Sequence, residues 1–481
     1  MDRNTEASIL ELATTRRLIA ALTLSAAVVG CKGDPDVDHD THATETGEGD
    51  GDPGDGDPGD GDPGALAPTF WQDVAPIYYD SCVGCHREGG VGPFVLDSYD
   101  SAAAWSTASA MAVENRVMPP WLVTDDGSCN SWQHSRALEQ EQIDTIVAWV
   151  EAGAPEGEPR DDLELAEIPS LAGATAFSTP VFVPEPEGGI FSEFDEYRCF
   201  LIDPALEQDV FLTGYHVIPG NEALVHHVLA MPVDPDRVVE DGMTNLEVIQ
   251  AYDEASPDRL GWPCFGTAGE GVEIEGIPVT WAPGQEVVEF PSGSGTRMAA
   301  GNLLVVQVHY NMANAEVIGQ SDSTTVELRL ESEDAIAREG LFDVLSGLLW
   351  TMFEGEPHVI PPGEAAHEFS YRIPVDWYVG WQGAEQFELW GFFPHMHEYG
   401  TSLTARLLDA NGEEVACVGE VPRWDFGWQL YYFMEEPIIL EPGQEIEVTC
   451  TYDSRGATEG IWPGWGTHNE MCLAGLYLLP H

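Results

Sequence analysis

The chain is poor in positive charge. Over 481 residues, 18 Lys and Arg stand against 84 Asp and Glu, a net charge of -66. Such a surface repels phosphate backbones and anionic headgroups, which excludes nucleic acid as a partner. Long apolar runs are also scarce: after residue 31 no segment has the unbroken apolar length of a transmembrane helix. Residues 33 to 64 lack Lys and Arg altogether and carry 12 acids, half of them in Gly-Asp-Pro repeats between Asp50 and Gly64. With almost nothing apolar to bury, this tract reads as an extended tether, and His39 and His42 as solvated linker residues. It holds only part of the negative charge, so the folded domains are acidic too. Length alone points to about three domains.

What is present starts with Arg16-Arg17, an apolar run from Leu18 to Gly30, and Cys31. The run is short for a membrane span and fits the core of a signal peptide. Val28-Val29-Gly30-Cys31 resembles a bacterial lipobox, although Leu is more usual where Val28 stands. That resemblance implies acylation of Cys31; the alternative is an ordinary secretory signal. The expectation is a protein exported and lipid-anchored to the bacterial cell envelope, at the outer membrane, periplasm or cell surface.

A helix is expected over Thr69 to Tyr79, followed by Cys82-Val83-Gly84-Cys85-His86. CxxCH is the haem c attachment motif: two thiols bond the vinyl groups and the histidine ligates iron. A structural disulfide and half a zinc site are the rivals. Met118, on the proline-stiffened loop Val117-Met118-Pro119-Pro120-Trp121, is the expected sixth ligand, ahead of Met111 and His134. Leu138, Ile143, Ile146, Val147 and Val150 recur at helical spacing from Ala137 to Ala152, with Gly153 as C-cap. Residues 66–156 resemble a small cytochrome c-like domain.

Past a Pro- and acid-rich linker the helical signal nearly vanishes. Alternating runs such as Asp209 to Tyr215, Leu303 to Tyr310, Thr324 to Leu330, Glu385 to Phe392, Leu403 to Leu408 and Glu445 to Tyr452 imply antiparallel strands. They are too many for one sandwich, and a break is expected near Glu331 to Gly340. The expected fold class is mainly β, with two consecutive antiparallel jelly-roll-like sandwiches after a small α-helical domain. The expected boundaries are 1–31 signal peptide, 32–65 linker, 66–156 haem domain, 157–172 linker, and sandwiches at 173–335 and 336–481.

The chemistry-bearing residues of the second part are His226-His227, His309 in Gln307-Val308-His309-Tyr310, His395-Met396-His397, and Met471 in Glu470-Met471-Cys472. On an extended strand His395 and His397 face the same way and Met396 the other. The adjacent pair His226 and His227 can share an ion only at a strand end or a bulge. His309 in an apolar run is ordinarily a hydrogen-bonded core histidine, and Met471 ordinarily filler. Imidazoles suit zinc, copper, iron and nickel, and an added thioether tilts the choice towards copper.

Taken in order across two β domains, these four motifs resemble the copper type II, ascorbate-dependent monooxygenase family, the group of peptidylglycine α-hydroxylating and dopamine β-monooxygenases, over residues 175 to 480. The resemblance implies two coppers per chain. One is held by His226, His227 and His309. The other, the catalytic one, is held by His395, His397 and Met471 and meets O₂ and substrate, while the all-histidine copper stores and passes an electron across an intervening cleft. It also implies disulfides Cys199–Cys264 and Cys450–Cys472. Cys129 and Cys417, in different expected domains, have no family match, and the sequence leaves open whether they are free.

The chain departs from the family at two substrate positions. Where the peptide-hydroxylating member has a carboxylate-binding arginine two residues before HxH stands Phe393, and where it has a tyrosine four residues after the Met ligand stands Gly475. An apolar or aromatic small molecule is therefore the expected substrate, in a pocket near Trp390, Phe392, Phe393 and Tyr399. The expected activity is C–H hydroxylation with O₂, with electrons from an ascorbate-like reductant or a periplasmic donor through the haem c. Two rival readings are a non-catalytic copper-binding or electron-transfer surface lipoprotein, and a surface-binding β protein with structural histidines.

Overall fold

A computed structural model describes residues 67–481 apart from 89, 91, 165–169, 187–193, 240–241, 265 and 467. The signal segment, Cys31 and the acidic tract lie outside the described residues. The described chain is mainly β, with four sheets and a few helices. No helix among the described residues is long and apolar enough to cross a membrane.

The helical part comprises a π-turn Phe70–Val74 running into Ala75–Ser81, then Tyr99–Glu114 and Gln140–Glu151. Its core packs Phe70, Val74, Tyr78, Val113, Ile143, Ile146 and Trp149. The last helix matches its expected spacing and starts with a capping box between Glu139 and Gln142. The Tyr99–Glu114 helix was not foreseen, because Ala and Ser fill much of its length and leave little amphipathic signal.

The strand Leu303–Asn311 explains why alternation alone misreads this fold. It lies between Asp195–Ile202 and Val225–Val233 at the centre of a five-stranded sheet and is buried on both faces. Leu304, Val306, Val308 and Tyr310 enter a core shared with Leu212, Tyr215, Val217, Val326 and Leu328 of a six-stranded sheet. Val305 faces the other way, into a cluster with Cys199, Met231, Ile249, Trp262 and Cys264. The helix Asn245–Ala255, capped by Thr244 and Glu247, supplies Ile249 and covers that outer face. His309 shares the parity of Val305, so it sits on the outer face.

In the second half, one sheet orders Leu341–Ser346, Leu473–Pro480, Phe387–His395 and Tyr432–Leu440, and the other His367–Pro374, Glu445–Tyr452, Gly400–Leu408 and Glu414–Val421. Both contribute to one core, with Phe387, Leu389, Phe392 and Leu476 from the first and Leu403, Leu407, Ile446 and Val448 from the second. Between the halves, Thr325–Glu331 closes the first set, and Arg338–Glu339 still pairs with Ser294–Met298 before Leu341–Ser346 opens the second.

The fold decides one open question and corrects one expectation. Cys129 and Cys417 are disulfide-bonded, across 288 residues of sequence. Sequence distance hid the pairing, because residues 121–136 leave the helical part and lie against the second half. Leu122, Val123 and Trp132 are buried in that half's core, Thr124 donates its N–H to Glu420 O, and Gln133 to Phe433 O. Phe392, expected near a pocket, is fully buried core. The pairs Cys199–Cys264 and Cys450–Cys472 form as the resemblance implied.

The Cys129→Ser/Cys417→Ser variant should lose about 2–4 kcal/mol of stability, read as a lower denaturant midpoint. An unchanged midpoint would mean that apolar contacts of Trp132 and its neighbours alone hold the strap.

Candidate metal centres

In the pairing of Val225–Val233 with Leu303–Asn311, Val225 opposes Tyr310 and His227 opposes His309. His226 is the extra residue of a β-bulge. This is the condition under which adjacent histidines point to one place. The Nδ1 atoms of His226 and His227 lie 3.4 Å apart, and those of His227 and His309 3.2 Å apart. Two nitrogens about 2.0 Å from a common tetrahedral ion are separated by roughly 3.3 Å, so the spacing fits one ion.

Residues that sequence reasoning missed hold this cluster. Asp195 Oδ1 lies 3.1 Å from His309 Nε2 and accepts a hydrogen bond from Asn311. It thereby favours the tautomer that leaves the Nδ1 lone pair of His309 for a ligand role. Tyr197 stacks on the His309 ring at 4.0 Å and 7°. Nothing local in the sequence marks either residue, since both come from a neighbouring strand. Burial holds His226 down at about 3 and pushes His227 well below the imidazole range, keeping both neutral, the form that binds metal.

His395 and His397 also depend on a bulge. The Phe387–His395 strand shifts register between Leu389 and Gly391 against both of its neighbours. Before the shift Phe387 and Leu389 point into the core; after it Phe392 and Met396 do. Parity is thereby inverted, and Phe393, His395 and His397 turn away from that core. The two imidazoles face each other with centroids 5.0 Å apart. His395 Nδ1 pairs with Gln429 Oε1 and His397 Nδ1 with Asn469 O, both at 2.9 Å. Each ring therefore donates through Nδ1 and offers its Nε2 lone pair.

Met471 is buried beside Leu349 and Leu473, with Val344 and Phe393 packed on the group. Its loop is fixed by Glu470. That fully buried carboxylate accepts from the N–H of His397 at 2.9 Å, of Tyr399 at 2.7 Å and of Met471 at 3.2 Å. One side chain thus ties the end of the HxH segment to the methionine loop. The Tyr452 hydroxyl donates to Met471 O at 2.9 Å, next to the Cys450–Cys472 bridge.

Phe426 connects the two clusters. Its ring lies 4.8 Å from that of His226 and 5.9 Å from that of His397. A phenyl group therefore stands between the clusters, where the resemblance implied an open cleft.

In the helical part, Cys82, Cys85 and His86 follow helix Ala75–Ser81 on one turn, with the N–H of Cys85 and of His86 donating to Cys82 O. His86 Nδ1 lies 3.0 Å from Phe94 O, which directs its Nε2 outward. Both cysteines are free thiols, so the disulfide reading of CxxC is not what the fold adopts. These groups suit haem attachment chemically. Met118 is half-buried, and its N–H reaches Ala112 O. Met111 is exposed on helix Tyr99–Glu114, and His134 is exposed too.

Gln429→Leu should leave His395 without its Nδ1 acceptor and weaken metal at the second cluster about 10–100-fold. Copper titration followed by paramagnetic resonance should find the three-histidine cluster unaffected. Equal loss at both clusters would show that Gln429 acts on folding instead.

Comparison with known proteins places these features in a family context. Residues 346–480 match the copper type II ascorbate-dependent monooxygenase, C-terminal domain, family. The chain is 24% identical over 287 residues to DBH-like monooxygenase protein 1 of Homo sapiens, covering 56% of this chain and 43% of that protein. It is 24% identical over 274 residues to peptidyl-glycine alpha-amidating monooxygenase A of Xenopus laevis, 52% of this chain and 25% of that one. To dopamine beta-hydroxylase of Canis lupus familiaris it is 21% identical over 267 residues, 55% and 39% respectively. The chain thus spans less than half the length of these relatives. The family matched by residues 346–480 is one of oxidoreductases, and the relatives are monooxygenases and a hydroxylase by name.

Proposed function

We propose that the chain is a copper monooxygenase that hydroxylates a C–H bond of an apolar or aromatic small molecule with O₂. The observation that carries this is the pair of histidine clusters flanking Phe426, the first with three ring nitrogens within reach of one ion and the second with two buried imidazoles whose Nδ1 atoms are engaged, leaving Nε2 for a ligand role. His226, His227 and His309 would hold one copper, and His395, His397 and Met471 the other. Copper, when bound, supplies the electron-transfer and oxygen chemistry. The protein keeps His226, His227, His395 and His397 neutral by burial, aims imidazoles through Asp195, Gln429 and Asn469, and offers a thioether that favours the reduced ion. The sheets of each half, sharing one core, are read as two sandwiches.

The apolar-substrate reading is supported by how the two family departures meet. Phe393 and Gly475 are direct cross-strand partners. A Cβ on Gly475 would stand 2.9 Å from Phe393 Cβ, so glycine makes room for the phenyl group. Phe393 lies parallel to His395 and Tyr431, at 6.3 and 5.9 Å, beside Leu349 and Met471. An unpaired substrate carboxylate buried against this surface is costly.

We further read the helical part as a haem c domain that relays electrons, with Cys82 and Cys85 as attachment points, His86 as iron ligand and Met118 as the sixth. Cys85 is within electrostatic reach of Arg136, Glu286 and Glu222. Arg136 also bonds Gly284 O at 2.7 Å and pairs with Glu286 at 3.2 Å. The motif therefore lies close to the loop that leads into His226. Export and a lipid anchor at Cys31 complete this reading, and an ascorbate-like or periplasmic donor is the reductant.

With copper, O₂ and a reductant, aromatic and aliphatic test compounds should gain one oxygen atom while glycine-extended peptides do not, measured by mass spectrometry. Phe393→Arg should lower apolar turnover at least tenfold. Efficient peptide hydroxylation by the parent protein would overturn the substrate class, and no oxygen uptake with any compound would favour the non-catalytic copper lipoprotein. A pyridine haemochrome spectrum of the Cys82→Ser/Cys85→Ser protein should show no covalent haem.

A further inference from the structure

A second pair of histidines lies away from both clusters. His358 follows helix Gly347–Phe353, and His367 opens the strand His367–Pro374. Their Nε2 atoms are 2.8 Å apart. His367 Nδ1 is 2.7 Å from Glu364 Oε2, so it carries a proton donated to the carboxylate, and the Nε2 of His367 presents a lone pair towards His358. This is the carboxylate–histidine arrangement that orients metal-binding imidazoles elsewhere in proteins.

The backbone carrying the pair is fixed. His358 N–H donates to Thr351 Oγ1 at 2.9 Å, and its ring packs on Phe369 at 4.8 Å. Ile360 and Ile461 exchange backbone hydrogen bonds. Ser454 Oγ donates to Pro361 O at 2.6 Å and accepts from Glu364 N–H at 3.0 Å. The surrounding charge suits a cation: residues 354 to 368 include Glu354, Glu356, Glu364 and Glu368 and no Lys or Arg. His367 is half-buried, so water reaches the remaining positions of an ion bound there.

We propose that His358 and His367, with Glu364 orienting His367, form a third metal site that takes a divalent transition ion, Cu(II) by preference. The preference comes from the donor set, since imidazole nitrogens hold Cu(II) most strongly among the divalent first-row ions. The two rings meet end to end with centroids 5.1 Å apart, so both turn aside to admit the ion. Binding moves the His358 proton to Nδ1, so the site needs neither a net proton release nor a redox partner. The inference is independent of the monooxygenase reading, since it shares no ligand with either cluster.

The test titrates the full-length, chelator-stripped protein with copper sulfate, counts copper after desalting, and records paramagnetic resonance spectra. The wild type should retain one more Cu(II) per chain than His358→Ala or His367→Ala, with a tetragonal signal split by two nitrogens that both variants lose. Glu364→Ala should bind at that site about tenfold more weakly or worse. His395→Ala should lose a different equivalent and keep the tetragonal signal, which separates failure of this site from failure of the two-copper reading. Equal copper counts and identical spectra for the wild type and His367→Ala would overturn the proposal and leave the pair as a hydrogen bond between imidazoles.

Discussion

Side-chain parity along the strands is the constraint on which both histidine clusters rest. A strand places alternate residues on opposite faces, so one extra residue redirects everything after it. At His226 the extra residue lets two adjacent imidazoles converge with His309 on the outer face of the five-stranded sheet. Near Trp390 it moves the core-facing set from Phe387 and Leu389 to Phe392 and Met396, and so frees His395 and His397. Regular pairing at the second place would have driven His395 into the apolar core, where no ion could reach it.

Once directed, the groups must be held, and the burial of one carboxylate decides how. Glu470 is withdrawn from water, which pushes its pKa up to about 8 against the opposing pull of the N–H groups it accepts from. The donors from His397, Tyr399 and Met471 are what make that burial tolerable. Because they come from two segments more than seventy residues apart in sequence, satisfying Glu470 also fixes the HxH segment relative to the methionine loop. The disulfide Cys450–Cys472 and the Tyr452 hydroxyl constrain the same loop from the other side.

The helical part is joined to the β halves by more than sequence. Its strap residues Leu122, Val123 and Trp132 complete the core of the second half, and Cys129–Cys417 closes the attachment covalently. Arg136, just after the strap, reaches the loop at Gly284 and Glu286 in the first half. The CxxCH turn is thereby held near Glu286 and near Glu222, which precedes His226.

The sequence by itself determined what is local. Periodicity announced Gln140–Glu151, Leu303–Asn311 and Glu445–Tyr452, and the CxxCH run, the histidine pairs and Met471 were visible as residue types with suitable spacing. Tertiary structure alone decided what requires distant segments to meet. It supplied Asp195 behind His309, Gln429 behind His395, Phe426 between the clusters, and Cys417 as the partner of Cys129. The bulges belong with these, because a bulge is defined by the register of a partner strand and leaves no mark in the order of residues on its own. Backbone periodicity is set within a few bonds, whereas a second ligand atom or a hydrogen-bond acceptor is brought in by packing of the whole chain.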